Sequence, residues 1–337
     1  MSYRIAINGL GRIGRSVLRA YFERSDLDGI ELVALNELAD IQTLAHLTRY
    51  DSTHGKFAGT VDVQGTSLLV NDRRLAVSNI ADLHLLPWQQ HGVDLVMECT
   101  GTFTDRTRAG IHLQRGSQRV LFSQPAAADV DATIVYGVNH HTLQDSHRII
   151  SNASCTTNCI VPVIAALHES VGIEHGVITT IHSAMNDQPV LDAYHHTDLR
   201  KTRSAMHSII PVDTGLARGI DRLLPMLAGR FQAQAMRVPT MNVSAIDLSV
   251  VVQKPVDRDV INQLLQQAAQ QYPAGVLGCT DEPLASCDFN HDPRSGIVDL
   301  SQTRVSGKSL VKVLVWFDNE WAFANRMLDV AGLLSRL

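Results

Sequence analysis

Three glycines, Gly9, Gly11 and Gly14, stand between an apolar run at residues 3–8 and a stretch at 10–23 whose Ile13, Val17, Leu18 and Tyr21 recur at helical spacing. The order is strand, glycine turn, helix. The G-x-G-x-x-G spacing lets a backbone approach a pyrophosphate at a helix N-terminus, where amide dipoles favour anions, although taken alone it also fits a plain glycine-rich turn. Glu37 closes a second apolar run at 31–36, and the dinucleotide fingerprint places an acid for the ribose hydroxyls about 20 residues past its glycines. A carboxylate there would repel a 2′-phosphate, and no arginine sits beside it. The cofactor expected is NAD rather than NADP.

Later apolar runs at 94–99 and 119–123 alternate with helical stretches such as 103–115, a βαβ succession that predicts a parallel sheet covered on both faces. From residue 176 the β runs lengthen, at 177–182, 232–239, 245–252 and 310–317, with a helix at 257–271 between the last two. That change predicts a mixed or antiparallel sheet. The fold class is therefore α/β: a Rossmann, doubly wound parallel sheet plus an α+β domain. A length of 337 residues also exceeds what one core usually serves. The expected division is 1–154, completed by an amphipathic C-terminal helix at 319–337, and 155–318. Residues 183–208 follow neither period and are rich in His, Asp and Arg, which in a compact chain points to function rather than to a linker.

Composition narrows the classes further. With 45% apolar and 19% charged residues the chain can bury a core, and 29 basic against 34 acidic residues, a net charge of −5, gives no nucleic-acid footprint. The dense basic cluster is Arg200, Lys201 and Arg203. The apolar run at 160–167 contains a proline and falls well short of the roughly 20 residues that span a bilayer. The start reads as a strand rather than as a secretory signal. No membrane association and a cytoplasmic location are expected. Five cysteines are too few and an odd number for a disulfide framework, which leaves a special thiol to chemistry.

The sharpest chemical signal is the run Ser151-Asn152-Ala153-Ser154-Cys155-Thr156-Thr157-Asn158-Cys159, polar and leading directly into the apolar 160–167 segment. Cys155 would sit at a helix N-terminus. There, and beside an imidazolium, a thiol pKa is expected to fall from about 8.5 until thiolate dominates, which makes a nucleophile. Cys159, one turn on and among apolar residues, reads as structural. The pair does not suggest zinc, because no histidine follows at ligand spacing. Among fifteen histidines, His182 is singled out because it ends the 177–181 run, where a side chain is held rigidly and can face a cleft. The pairs His140–His141 and His195–His196 receive no role.

Four motifs now converge. Ala6-Ile7-Asn8-Gly9-Leu10-Gly11-Arg12-Ile13-Gly14-Arg15, the Ser154–Cys159 run, Arg237-Val238-Pro239-Thr240 and Trp316-Phe317-Asp318-Asn319-Glu320 together resemble the glyceraldehyde-3-phosphate dehydrogenase family over nearly the whole chain. The resemblance implies a homotetrameric NAD-dependent aldehyde dehydrogenase acting on a small phosphorylated aldose. It also implies Cys155 as nucleophile, His182 as its base, Asn319 on the nicotinamide carboxamide, and Arg12 and Ile13 along the pyrophosphate.

Departures separate branches of the family. Met185 stands where the triose enzyme carries a threonine that donates to phosphate, and a thioether cannot donate. Val212 and Asp213 replace small hydroxyl residues of its inorganic-phosphate pocket. A carboxylate ~6 Å from a phosphate would oppose it by roughly 3 kcal/mol at an effective dielectric near 20. Alternatively Asp213 caps a helix starting at Thr214. With Asn36-Glu37-Leu38-Ala39-Asp40 and Phe289-Asn290-His291-Asp292-Pro293, these positions resemble instead the erythrose 4-phosphate branch, which releases the acid with water on the route to pyridoxal phosphate. Substrate contacts carried over by this resemblance are Ser154, Cys155, Thr156, Arg200, Asp213, Thr214 and Arg237. Ala81 departs from both branches, standing where an arginine commonly flanks the adenine. The competing readings are the phosphorylating triose enzyme and a non-catalytic NAD-binding protein.

Overall fold

The computed structural model describes residues 2–195 and 197–337. His196, half of the second histidine pair, lies outside the described residues. The chain forms two compact units, Met1–Ser154 with Phe323–Leu337, and Cys155–Ala322.

The first unit is built on a nine-stranded sheet whose central strand, Tyr3–Asn8, lies between Ile30–Asn36 and Leu95–Glu98, parallel to both. Parallel strands continue outward to Arg119–Phe122, Ile149–Ser151 and Ala132–Thr133 on one side and to Arg73–Ser78 on the other. Beyond Arg73–Ser78, Ser67–Val70 and Val61–Gln64 add an antiparallel edge that the sequence reading did not anticipate, because their short runs are broken by Gly65 and Asp72. From Tyr3–Asn8 the chain builds the sheet outward through Ile30–Asn36 and Arg73–Ser78, then crosses back to Leu95–Glu98 on the other side, so the C-terminal end of Tyr3–Asn8 is the topological switch point where ligands bind in open α/β sheets. Buried side chains fix that end. Asn8 Nδ2 donates to Glu98 Oε2 (2.6 Å), Asn36 Nδ2 to Asn8 Oδ1 (2.8 Å), and the Thr100 N–H to Glu98 Oε1 (2.9 Å). Trp88 Nε1 donates to His112 Nδ1 (2.9 Å), which leaves Nε2–H of His112 to donate to Glu98 (3.0 Å).

Helix bounds follow their capping residues. The stretch read as 103–115 is helical only over Arg106–Gln114, where the Asp105 carboxylate accepts from Arg108 N, and Asp257 likewise caps Arg258–Gln271. The C-terminal helix is Trp321–Leu334. Its start is fixed by Asp318 Oδ1, which accepts from the backbone of Glu320 and Trp321.

In the second unit a seven-stranded mixed sheet runs in the order Ile210–Val212, Phe231–Arg237, Ile173–His182, Ser244–Val252, Leu310–Phe317, Gly296–Ser306, Leu277–Thr280. Ile173–His182 and Phe231–Arg237 are parallel and pair His182 with Arg237 in register, so the two residues are side by side at the strand ends. The helix Cys155–Val171 packs on this sheet. Within 183–208 the described residues are turns, bends and irregular chain apart from the short 3-10 helix Leu199–Thr202.

Candidate active site

Cys155 owes its position to the apolar helix body behind it. Ile160, Val161, Val163, Ile164 and Leu167 are fully buried, so the helix Cys155–Val171 is anchored by that body and leaves its polar first turn at the open end. The approach is a sharp turn at Ala153, whose φ of +57° is a left-handed conformation that residues with a Cβ rarely adopt. Cys155 is half-buried, as are its neighbours Ser154 and Thr156, whereas Cys159 is sealed in the core.

The Cys155 Sγ lies 3.8 Å from Nε2 of His182. On the far side of the imidazole, Nδ1 is 2.9 Å from the Ser183 carbonyl oxygen and 2.5 Å from Arg237 Nη1. Burial pushes the Cys155 thiol up to about 11, the Arg237 charge opposing only in part. Burial, helped by that same charge, pulls His182 down to about 4. These shifts run against the expected thiolate–imidazolium pair. A helix N-terminus stabilises thiolate, but desolvation of a thiol beside a buried, neutral ring outweighs it here. Both shifts favour the neutral thiol and the neutral imidazole.

Asn319, buried, is oriented by two hydroxyls: its Oδ1 accepts from Ser183 Oγ (3.0 Å) and Ser244 Oγ (2.9 Å), which directs its amine away from them. Ser183 also donates its N–H to Ser244 Oγ (3.1 Å), so one fully buried serine ties the His182 turn to Asn319. Val243, before Ser244, holds φ at +65°, strain of about 1–3 kcal/mol that a β-branched residue bears only when its surroundings impose it. Sequence reading gave neither serine a role. Ser244 lies 61 residues from Ser183, and no local spacing marks the pair.

The remaining candidates are more dispersed. Thr214 is half-buried, its Oγ1 accepting from Leu216 N (3.2 Å) at the start of the helix Leu216–Leu223. Gly215, not Asp213, is that helix's cap. Asp213 is exposed, so water screens its charge well below the roughly 3 kcal/mol expected of a shielded pair. Arg200 is exposed on Leu199–Thr202. Neither makes a hydrogen bond to Cys155 or His182 among the described residues.

In the first unit the glycines form a cradle. Gly9 has φ +88°, and a Cβ there would lie 2.8 Å from the Thr100 backbone. A Cβ on Gly14 would collide with the Gly9 carbonyl oxygen, whereas one on Gly11 would meet open space. The helix Arg12–Glu23 is capped by Gly11 with no side-chain hydrogen bond, so its first turn presents amides as an anion site. Glu37 is held beside it, Oε1 accepting from Leu38 N (2.7 Å) and Ala39 N (3.2 Å) and Oε2 from Leu10 N (2.7 Å), which leaves an acceptor site on Oε2 for a ribose hydroxyl. The Arg12 guanidinium is paired with Asp51 (2.5 Å) and holds that carboxyl well below its usual range. Ile13 is half-buried at the same helix start. These residues fit NAD. Gly14→Ala should therefore shift the turn at a cost of about 1–3 kcal/mol and weaken NAD binding. Calorimetric titration reads this directly, and an unchanged Kd would count against the cradle.

No helix among the described residues is long and apolar enough to cross a membrane, and no group of three or more His, Cys, Asp or Glu there could hold a metal ion. A family model described as glyceraldehyde 3-phosphate dehydrogenase, NAD binding domain, matches residues 3–106, and one described as the C-terminal domain of the same enzyme matches residues 154–319.

Proposed function

Because the chain belongs to the glyceraldehyde 3-phosphate dehydrogenase family of NAD-dependent oxidoreductases, we propose that it oxidises D-erythrose 4-phosphate to 4-phospho-D-erythronate with water as the final acyl acceptor, on the route to pyridoxal phosphate. The observation that carries the chemistry is the 3.8 Å approach of Cys155 Sγ to His182 Nε2 beside the Arg237 guanidinium. In this reading the Cys155 sulfur adds to the aldehyde while His182 takes the thiol proton. The Cys155 backbone N–H and the imidazole hold the oxyanion. NAD, when bound, accepts the hydride that turns the hemithioacetal into a thioester. Once the imidazolium has given its proton to solvent, His182 deprotonates the water that attacks the thioester and passes that proton to the departing Cys155 sulfur, and Arg237, with Arg200, Thr214, Ser154 and Thr156, receives the substrate's phosphate and hydroxyls. Asn319, fixed by Ser183 and Ser244, presents its amine to the carboxamide of the cofactor.

The choice of acceptor and aldose is supported by the sequence departures alone: Met185, whose thioether has no hydrogen to donate, stands where the triose enzyme carries a threonine, and Asp213 where it carries a small hydroxyl residue. The phosphorylating triose enzyme shares every step through the thioester. Comparison of kcat/KM for erythrose 4-phosphate and glyceraldehyde 3-phosphate, with and without inorganic phosphate, separates them. The expected result is preference for the tetrose and free acid without added phosphate. A phosphate requirement with triose preference would overturn the assignment.

We further propose a homotetramer in the cytoplasm. Exposed Val190, Leu191, Leu199 and Ile209 in and beside the 183–208 segment support self-association, and five free cysteines support a reducing compartment. Light scattering should give four times the 36.9 kDa chain mass. A monomer mass at micromolar concentration would contradict the assembly.

A further inference from the structure

The contacts of His182 conflict over a single nitrogen. Arg237 Nη1, always a donor, lies 2.5 Å from Nδ1, while the Ser183 carbonyl oxygen, always an acceptor, lies 2.9 Å from the same atom. Nδ1 can satisfy one of them. If it accepts from Arg237, a neutral ring carries its proton on Nε2, pointing at the Cys155 sulfur 3.8 Å away. The thiol proton then has no lone pair to enter. If Nδ1–H instead donates to Ser183, Nε2 is free to act as base. The Arg237 guanidinium is engaged on one side only: its Nε is buried without a hydrogen-bond partner. Such a group gains by turning toward a new anion.

We propose that Arg237 is a positioning residue that couples anion binding to the tautomer of His182. Without an anion its guanidinium donates to Nδ1 and the proton rests on Nε2. A phosphate group bound by Arg237 draws the guanidinium away. Nδ1 takes a proton from water and donates it to the Ser183 carbonyl, Nε2 returns one to water, and the ring's charge is unchanged. The base is thus available only when the phosphorylated end of a substrate is seated. This rests on the reading of Arg237 as a phosphate contact.

The test uses the full-length, NAD-loaded protein with ¹⁵N-labelled histidine, His182 being assigned by the signal lost in His182→Asn. Phosphite dianion, the phosphoryl end of the substrate without its aldehyde, is titrated at constant pH and ionic strength, with its binding measured separately by calorimetry. Nδ1 of His182 should pass from the unprotonated to the protonated type, and alkylation of Cys155 by neutral iodoacetamide should rise by about 10²-fold as the base becomes available. Arg237→Gln should show the protonated Nδ1 without phosphite and no response to it; a variant that does not fold leaves the wild-type titration decisive. Phosphite that binds without moving the nitrogen signal or the alkylation rate overturns the coupling and leaves the phosphate-contact reading standing. Failure of phosphite to bind overturns both.

Discussion

Cys155→Ala is expected to lower aldehyde oxidation by about 10⁴-fold or more while NAD binding stays within error of wild type. The asymmetry comes from the architecture. Cys155 begins a helix of the second unit, and the glycine cradle and Glu37 belong to the first, with hydrogen bonds of their own. Removing the sulfur deletes the group that bonds covalently to the substrate. The anchor of the helix, Ile160 to Leu167, is untouched, so folding should survive. Steady-state NADH production and calorimetric NAD titration measure the two halves. Turnover within tenfold of wild type would remove Cys155 from the mechanism.

His182→Asn should lower kcat by about 10²–10⁴-fold near neutrality, with a loss that narrows as pH rises. The sign comes from the thiol. Burial pushes the Cys155 thiol up to about 11, so thiolate is the minor form at pH 7 and its fraction grows about tenfold per pH unit below that value. A neutral thiol needs a proton acceptor at the moment of attack, whereas a thiolate formed by hydroxide does not. His182, held near 4 rather than the usual 6.5, stays neutral through this range and supplies that acceptor in the wild type. The ratio of wild-type to variant kcat across pH is the measurement. A ratio that does not change with pH would show that the imidazole serves the site in some way other than accepting the thiol proton.

What could be read from residue order was the part of the molecule governed by local rules. Gly9, Gly11 and Gly14 announce their turn because close backbone approach excludes a Cβ, and Cys155 stands out because polar residues rarely open so apolar a helix. The strands Leu310–Phe317 and Ser244–Val252 alternate or run apolar and were legible within a residue. Gly296–Ser306 was not: Asp299, Ser301 and Gln302 interrupt its apolar run, and Trp316 Nε1 donating to Asp299 (3.2 Å) is one of the tertiary contacts that hold such a strand. The electrostatic balance at Cys155 was also beyond the sequence. It depends on how deeply two side chains are buried, and a helix N-terminus alone points the other way. The pairing of His182 with Arg237, 55 residues apart, exists only through strand register.

The central claim is that the substrate carbon becomes bonded to one sulfur. Enzyme mixed with erythrose 4-phosphate and NAD, quenched in acid within the first turnover and analysed by mass spectrometry, reports this most directly. The account predicts a phosphoerythronyl adduct, released by hydroxylamine, on the peptide containing Cys155. A first-turnover burst of NADH with an unmodified Cys155, or an adduct on another residue, would contradict it.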